Sequence, residues 1–180
     1  MVAAASQDPL RVPAPPPHPA ARTDVLTLPG PAATDALAAR LAPHLRAGDL
    51  LLLEGPIGAG KTHFARALIG ALQRAAGQPA EEVPSPSYTL VQVYAAGDLE
   101  IWHADLYRLG DPSEVSELGL DTALDDALVL VEWPDRLGTP PPQALTLRFA
   151  DLPGGGDEAR QVTLLPAGPR GTELAAHALG

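Results

Sequence analysis

The sequence contains one lysine, Lys61, and its remaining strongly basic residues are all arginine. Lys61 lies in a segment with the pattern G-x-x-x-x-G-K-[ST], in which glycines let backbone N–H groups approach phosphate oxygens. We expect the Lys61 ammonium to reach the β- and γ-phosphates of a nucleotide, and the Thr62 hydroxyl to ligate Mg²⁺. The predicted nucleotide contacts in and beside this loop are Gly55, Pro56, Ile57, Gly58, Ala59, Gly60, Lys61, Thr62 and His63.

The elements on either side of the loop fit this chemistry. Residues 50–53 are four consecutive leucines, which is typical of a strand buried on both faces of a parallel sheet. After the loop, apolar residues recur at helical spacing, and Gly77 and Pro79 then end the predicted helix. A strand, a glycine-rich loop and a helix in this order place phosphates at a helix N-terminus.

Two carboxylates are candidates for the metal and the reaction. Glu132 follows the apolar run at residues 128–131, and Asp105 follows a less apolar strand pattern at residues 101–104. Mg²⁺ prefers oxygen ligands, so Glu132 is the predicted metal ligand beside Thr62. Asp105 is the predicted residue for positioning the attacking water or the outer shell of the metal. The alternative for either carboxylate is a helix cap or an ion pair with Arg108, and which of the two carboxylates positions the water stays open.

Three other residues carry weaker signals. Trp133 is a candidate for stacking on the base, with an ordinary core position as an equal alternative. His103 is expected to be structural, because a single histidine near a strand end is seldom a metal ligand. Arg108 is a candidate for stabilising phosphate charge, and an ion pair with a neighbouring acid fits it equally well.

The base is predicted to be adenine by exclusion. Guanine-specific phosphate-loop proteins commonly read the base with an N-K-x-D segment. This chain has no asparagine, and its lysine is already in the phosphate loop. The standard GTPase interpretation is therefore excluded, and ATP with Mg²⁺ is the expected ligand pair.

The composition of the chain excludes several classes of partner and chemistry. A formal net charge of −10 argues against tight binding to nucleic acid by this chain alone, so any RNA would be reached through a partner. The absence of cysteine excludes disulfides, thiolate nucleophiles and sulfur metal ligands. No apolar run approaches membrane-spanning length and no secretory signal is visible, which predicts a cytoplasmic protein without membrane association.

The 180 residues are expected to form a disordered Pro/Ala-rich tail, residues 1–23, and one domain, residues 24–180. Strands are predicted at residues 25–28, 50–53, 89–94, 99–104, 128–131, 144–149 and 161–165. Helices are predicted at residues 33–46, where Pro43 would kink or shorten the helix, after the phosphate loop over the apolar positions 64–75, from a cap at Asp111, and at 172–179. This order predicts an α/β fold: a P-loop NTPase-like mixed sheet flanked by helices, with antiparallel hairpin strands.

Four segments together resemble the TsaE (YjeE) family of small bacterial ATPases. The resemblance covers residues 25–150. Its segments are the loop at residues 55–62, Ser85-Pro86-Ser87-Tyr88-Thr89-Leu90, His103-Ala104-Asp105-Leu106-Tyr107-Arg108-Leu109, and Val131-Glu132-Trp133-Pro134. Three departures stand out: Pro56-Ile57 replaces Asp-Leu, Ala104 replaces phenylalanine, and Ser87 replaces threonine. Ala104 is expected to remove packing near Asp105.

The resemblance implies a role in making N6-threonylcarbamoyladenosine (t6A) on tRNA. It implies that the protein binds and hydrolyses ATP, weakly alone, and associates with the TsaD–TsaB heterodimer, so that tRNA is met only through the complex. Hydrolysis would reset that complex between turnovers. By position, Lys61 and Thr62 would hold phosphate and Mg²⁺, Glu132 would ligate Mg²⁺, Asp105 would assist hydrolysis, and Ser87 would belong to a switch segment near the γ-phosphate.

Two other functions are compatible with a phosphate loop. One is a small P-loop kinase acting on a small molecule or nucleotide, although the arginines after residue 110 are scattered rather than grouped in a lid. The other is a nucleotide-gated binding module that hydrolyses little. No arginine finger is evident in the chain, so slow hydrolysis by the isolated protein fits both this module and the partner-activated ATPase.

Overall fold

The computed structural model describes residues 23–110, 112–138 and 142–180. The tail predicted at residues 1–23 lies outside this part of the chain except for its last residue. The predicted helix cap Asp111 lies outside it as well. Among the described residues, no helix is long and apolar enough to cross a membrane.

The sheet consists of seven strands. Their bounds are β1 (Asp24–Leu28), β2 (Leu50–Glu54), β3 (Val91–Ala96), β4 (Leu99–Asp105), β5 (Ala127–Glu132), β6 (Ala144–Asp151) and β7 (Arg160–Ala167). The α-helices of the described chain are α1 (Pro31–Leu41), α2 (Lys61–Ala75), α3 (Pro112–Ser116), α4 (Leu120–Asp126) and α5 (Gly168–Leu179).

The spatial strand order is β1-β7-β6-β2-β5-β4-β3. Strands β6, β2, β5 and β4 are mutually parallel, whereas β3, β7 and β1 each pair antiparallel to their neighbours. The mixed α/β sheet and the β3–β4 hairpin predicted from the sequence are therefore confirmed. Buried clusters cover both faces of the central sheet, one containing residues of α1, α2 and α5 and the other residues of α4.

The four leucines of β2 divide between two cores. Leu51 and Leu53 pack in the cluster that contains α1, α2 and α5, whereas Leu50 and Leu52 pack in the cluster that contains α4. Successive side chains of a strand point to opposite faces, so a strand covered on both sides needs apolar residues throughout. Burial on both faces is therefore the reason that residues 50–53 are all apolar.

Several element boundaries differ from the predicted ones. The helix predicted at residues 33–46 begins at Pro31 and ends at Leu41, and a 3-10 turn follows over Ala42–His44. Pro43 lacks the N–H that an α-helix would need there, which explains the early end. Helix α5 begins four residues earlier than predicted, and α4 was not predicted from the sequence. Strand β3 begins only at Val91, because Leu90 has a φ of 64° and cannot continue an extended strand.

Candidate functional site

The register of the parallel strands brings the predicted site residues to one edge of the sheet. Leu53, the penultimate residue of β2, pairs with Glu132 at the end of β5, and Glu132 pairs with Asp105 at the end of β4. Paired residues point to the same face, and His103 shares that face with Asp105 because it lies two positions earlier on the strand. All of these side chains lie on the face that packs against α2, which begins at Lys61.

The loop after β2 depends on glycine at both of its ends. Gly55 has a φ of 137°, and a Cβ atom there would lie 2.4 Å from the carbonyl oxygen of Phe149 in β6. Gly60 precedes α2 with a φ of 102°, and its carbonyl accepts the N–H of Phe64 at 2.9 Å. The loop therefore turns sharply against β6 and delivers the chain to the N-terminus of α2, where unpaired N–H groups favour anions.

Lys61 is buried in the site, with 4% of its surface exposed. Its Nζ donates hydrogen bonds to the carbonyl oxygens of Gly55 at 2.7 Å and Pro56 at 2.8 Å, and lies 4.2 Å from the ring centre of Trp133. Burial lowers the pKa of the Lys61 ammonium, and the negative charges of Glu132 and Asp105 partly oppose that shift. The ammonium is thus held at the loop by backbone oxygens and an aromatic face.

Glu132 joins the loop to β4. Its Oε2 accepts a hydrogen bond from the Thr62 hydroxyl at 2.9 Å, and its Oε1 lies 2.9 Å from His103 Nε2. Both Glu132 and His103 are buried. The contact between His103 and Glu132 was not predicted from the sequence. Residues 103 and 105 lie two positions apart on one strand and so share a face, which could have indicated that His103 lies near the site. A structural role for His103 stays a prediction, and its hydrogen-bonding partner is the predicted metal ligand Glu132.

Asp105 is held by the segment that precedes β3. Its Oδ2 accepts a hydrogen bond from the Ser87 hydroxyl at 2.7 Å, and its Oδ1 accepts the N–H of Tyr107 at 3.0 Å. Ser85 Oγ lies 2.7 Å from Ser87 Oγ and so extends the network. Asp105 therefore neither caps a helix nor pairs with Arg108, whose guanidinium lies 5.6 Å from the ring centre of Tyr88.

Ala104 does not contact the site. It is fully buried in the cluster on the opposite face of the sheet, together with Leu106 and Val131. Because alternate residues of β4 point to opposite faces, a change at this position alters the α4 side rather than the packing around Asp105. The loss of packing expected near Asp105 is therefore not found there.

Trp133 closes one side of the site. It has a φ of 60°, and its N–H lies 3.3 Å from the carbonyl oxygen of Leu53, so the chain turns immediately after Glu132. The half-buried ring faces the Lys61 ammonium and lies 5.0 Å from the ring of Tyr107. This placement puts the ring at the site, and stacking on a base stays a prediction.

A cavity of about 510 Å³ lies between these elements. Its walls include eight residues predicted from the sequence: Ile57, Gly58, Lys61, Thr62, Ser87, Asp105, Glu132 and Trp133. His63 does not line it, because the ring is turned towards α1 and its Nε2 lies 2.8 Å from Asp35 Oδ1. The cavity thus combines an ammonium, a hydroxyl and two carboxylates at the start of α2, a set that suits a phosphorylated ligand with a hard cation.

The donor set also indicates what kind of metal would fit. Among residues 23–110, 112–138 and 142–180, no group of three or more His, Cys, Asp or Glu side chains is arranged to hold a metal ion. The Thr62 hydroxyl and the Glu132 carboxylate supply hard oxygen donors within hydrogen-bonding distance of each other. Mg²⁺ commonly binds through one or two carboxylates and completes its shell with phosphate oxygens and water. The residues present therefore fit Mg²⁺ bound together with a nucleotide.

The sheet and the loop define the class of protein: a P-loop-type α/β fold in which a glycine-rich loop joins a parallel strand to a helix. The family model described as "Threonylcarbamoyl adenosine biosynthesis protein TsaE" matches residues 28–161. The chain therefore belongs to the TsaE family, and the resemblance seen in its motifs is confirmed.

Individual relatives agree with this assignment. The protein named "tRNA threonylcarbamoyladenosine biosynthesis protein TsaE" from Rickettsia conorii is 40% identical over 121 residues, 66% of this chain and 67% of the relative. The Bacillus subtilis protein of the same name is 35% identical over 141 residues, 78% of this chain and 84% of the relative. The crystal structure of Bacillus subtilis YdiB superposes with a TM-score of 0.69 at 27% identity, covering 88% of this chain and 95% of YdiB.

Proposed function

We propose that this chain binds ATP with Mg²⁺ in the cavity at the start of α2. The observation that carries the proposal is the contact between the Thr62 hydroxyl and the Glu132 carboxylate, 2.9 Å apart, beside the buried Lys61 ammonium. Lys61 would hold phosphate oxygens by exchanging its bonds to the loop carbonyls for bonds to the nucleotide. Thr62 and Glu132 would hold the metal, which when bound neutralises charge on the phosphates.

Hydrolysis is assigned to Asp105 within the same cavity. The carboxylate is anchored by the Ser87 hydroxyl and the Tyr107 N–H, so its orientation is set before a nucleotide enters. It would orient the attacking water, while Ser87 would lie near the γ-phosphate. Arg108 lies over the Tyr88 ring at the cavity wall. Without an arginine placed on the transferred phosphoryl group, we expect slow hydrolysis by the isolated chain.

The cellular role proposed is tRNA t6A modification. The family description and the names of the relatives support it. By the motif resemblance, the chain would act with a TsaD–TsaB heterodimer, and its ATP hydrolysis would permit repeated turnover of that complex. The net charge of −10 is consistent with meeting tRNA only through those partners.

The test is ATP turnover by the purified chain, alone and with the TsaD–TsaB pair, together with assays of t6A formation. We expect slow release of phosphate alone, faster release with the pair, and t6A formation that continues past one turnover only when the chain is present. No effect of the pair on turnover, and no effect of the chain on modification, would overturn the proposal. Phosphate found on an acceptor instead of free in solution would favour the kinase alternative.

Asp105→Ala separates hydrolysis from scaffolding, because Thr62 and Glu132 would still hold the metal and the nucleotide. If the variant still assembles with the pair but modification stops after one turnover, hydrolysis is required. If modification continues at the wild-type rate, the chain serves as a nucleotide-gated module. Glu173→Ala, which removes an exposed carboxylate from α5, is the matched control and should leave both readouts unchanged.

A further inference from the structure

The two oxygens of the Glu132 carboxylate have different partners. Oε2 accepts a hydrogen bond from the Thr62 hydroxyl at 2.9 Å, on the side of the phosphate loop. Oε1 lies 2.9 Å from Nε2 of His103, which has no exposed surface. The carboxylate is therefore held from both ends, once by the loop and once by strand β4.

The same contact determines the tautomer of the His103 ring. A carboxylate oxygen can only accept, so Nε2 must carry the hydrogen. Nδ1 is also buried, and it meets no hydrogen-bonding partner among the residues that the structure describes. His103 therefore meets Glu132 through Nε2 and makes no second side-chain hydrogen bond within the described part of the chain.

We infer that His103 is a positioning residue that orients the Glu132 carboxylate so that Oε2 faces Thr62 and a bound Mg²⁺. The inference rests on the proposed function and extends it to a residue that touches neither nucleotide nor metal. Its physical basis is that a glutamate side chain has three rotatable bonds, and a buried donor on Oε1 removes the rotamers that would turn Oε2 away. His103 cannot itself be a ligand in this arrangement, because Nε2 is occupied and the ring is buried.

The test measures the affinity of the protein for Mg²⁺ with a non-hydrolysable ATP analogue bound, and separately its affinity for the analogue without metal. For His103→Leu we expect a loss of about 10- to 100-fold in Mg²⁺ affinity, the usual effect of removing such a partner. Affinity for the analogue without metal should stay unchanged. His177→Gln is the matched control, since the His177 ring of α5 stacks on His44 of the 3-10 turn and does not line the cavity.

Two further variants keep the inference falsifiable if His103→Leu fails to fold. The amide nitrogen of glutamine can reach the position of Nε2, whereas that of asparagine is too short. We therefore expect His103→Gln to retain most of the Mg²⁺ affinity and His103→Asn to lose it. Equal, wild-type affinity in both would overturn the inference. So would nitrogen NMR of the wild-type protein placing the ring hydrogen on Nδ1.

A double-mutant cycle distinguishes positioning from general packing. If His103 acts through the carboxylate, His103→Gln and His103→Asn should bind Mg²⁺ equally in a Glu132→Gln background. A difference as large as that in the wild-type background would contradict the inference. The proposed function fails separately, if the wild-type protein binds no ATP analogue or binds it without any effect of Mg²⁺.

Discussion

At the scale of single residues, the ammonium of Lys61 is the group on which phosphate binding depends. It is buried against two carbonyl oxygens and an aromatic ring, and those contacts can be exchanged for phosphate oxygens without building a new site. We expect Lys61→Met to weaken ATP binding by about 10- to 100-fold, the equivalent of one charge-assisted hydrogen bond. Isothermal calorimetry measures this, and unchanged affinity would contradict the role given to Lys61.

The lowered pKa of Lys61 predicts how ATP affinity depends on pH. Burial disfavours the ammonium in the free protein, so the side chain begins to lose its proton at a lower pH than an ordinary lysine. Phosphate favours the charged form, so binding at alkaline pH must restore that proton. Affinity should therefore fall as pH rises through the lowered pKa, with proton uptake visible in buffers of different ionisation enthalpy. Lys61→Met should show no proton uptake. A wild-type ATP affinity that does not change with pH would contradict this role of Lys61.

At the scale of elements, the contact between the loop and β6 constrains the end of β2. A Cβ atom on Gly55 would lie 2.4 Å from the carbonyl oxygen of Phe149, at a φ of 137° that side chains avoid. We expect Gly55→Ala to lower the free energy of unfolding by at least about 2 kcal/mol, from strain and from the clash together. Urea denaturation measures it. Gly77→Ala, with a φ of 76° and open space, is the control and should cost only about 1 kcal/mol.

A second prediction concerns how α5 is attached to the sheet. Arg170 in α5 forms two hydrogen bonds, at 2.7 and 2.6 Å, with the carboxylate of Asp49, which is 2% exposed. Asp49→Ala leaves the guanidinium without its buried partner, so we expect a loss of about 3 kcal/mol of unfolding free energy. Thermal unfolding measures this. Glu173 binds the same arginine from the surface, so Glu173→Ala should leave the melting temperature nearly unchanged.

At the scale of the whole molecule, the net charge of −10 predicts how the proposed association with partners depends on salt. A basic surface on the TsaD–TsaB pair would complement this charge. We expect the affinity of the assembly to fall as salt is raised, because screening shortens the range of the attraction to about 8 Å at physiological ionic strength. Titration by light scattering or calorimetry at several salt concentrations measures this, with ATP affinity followed separately. Affinity independent of salt would contradict a charge-driven interface.

The parts of the fold that the sequence predicted are those with local causes. The apolar run of β2 and the phosphate-loop pattern each depend on neighbouring residues, so the strand, the loop and α2 were found close to their true bounds. Helix α1 was predicted too long, because the consequence of Pro43 depends on whether packing can absorb a kink. Helix α4 was missed because it is short, and burial of Leu120 and Ala123 rather than intrinsic propensity accounts for it.

By itself, the sequence determined the chemistry available to this protein: one ammonium, one hydroxyl and two carboxylates, each at a strand end or loop where a phosphate could meet them. It could do so because residue types and short-range spacing carry that information. Only the tertiary structure decided which of these groups meet. The register of β5 and β4 places Glu132 beside Asp105 and on the same face as His103. The packing of α2 and of the segment before β3 then joins Thr62 to Glu132 and Ser87 to Asp105, whereas His63 contacts Asp35 in α1. These contacts link residues 18 to 70 positions apart, and no local pattern specifies them.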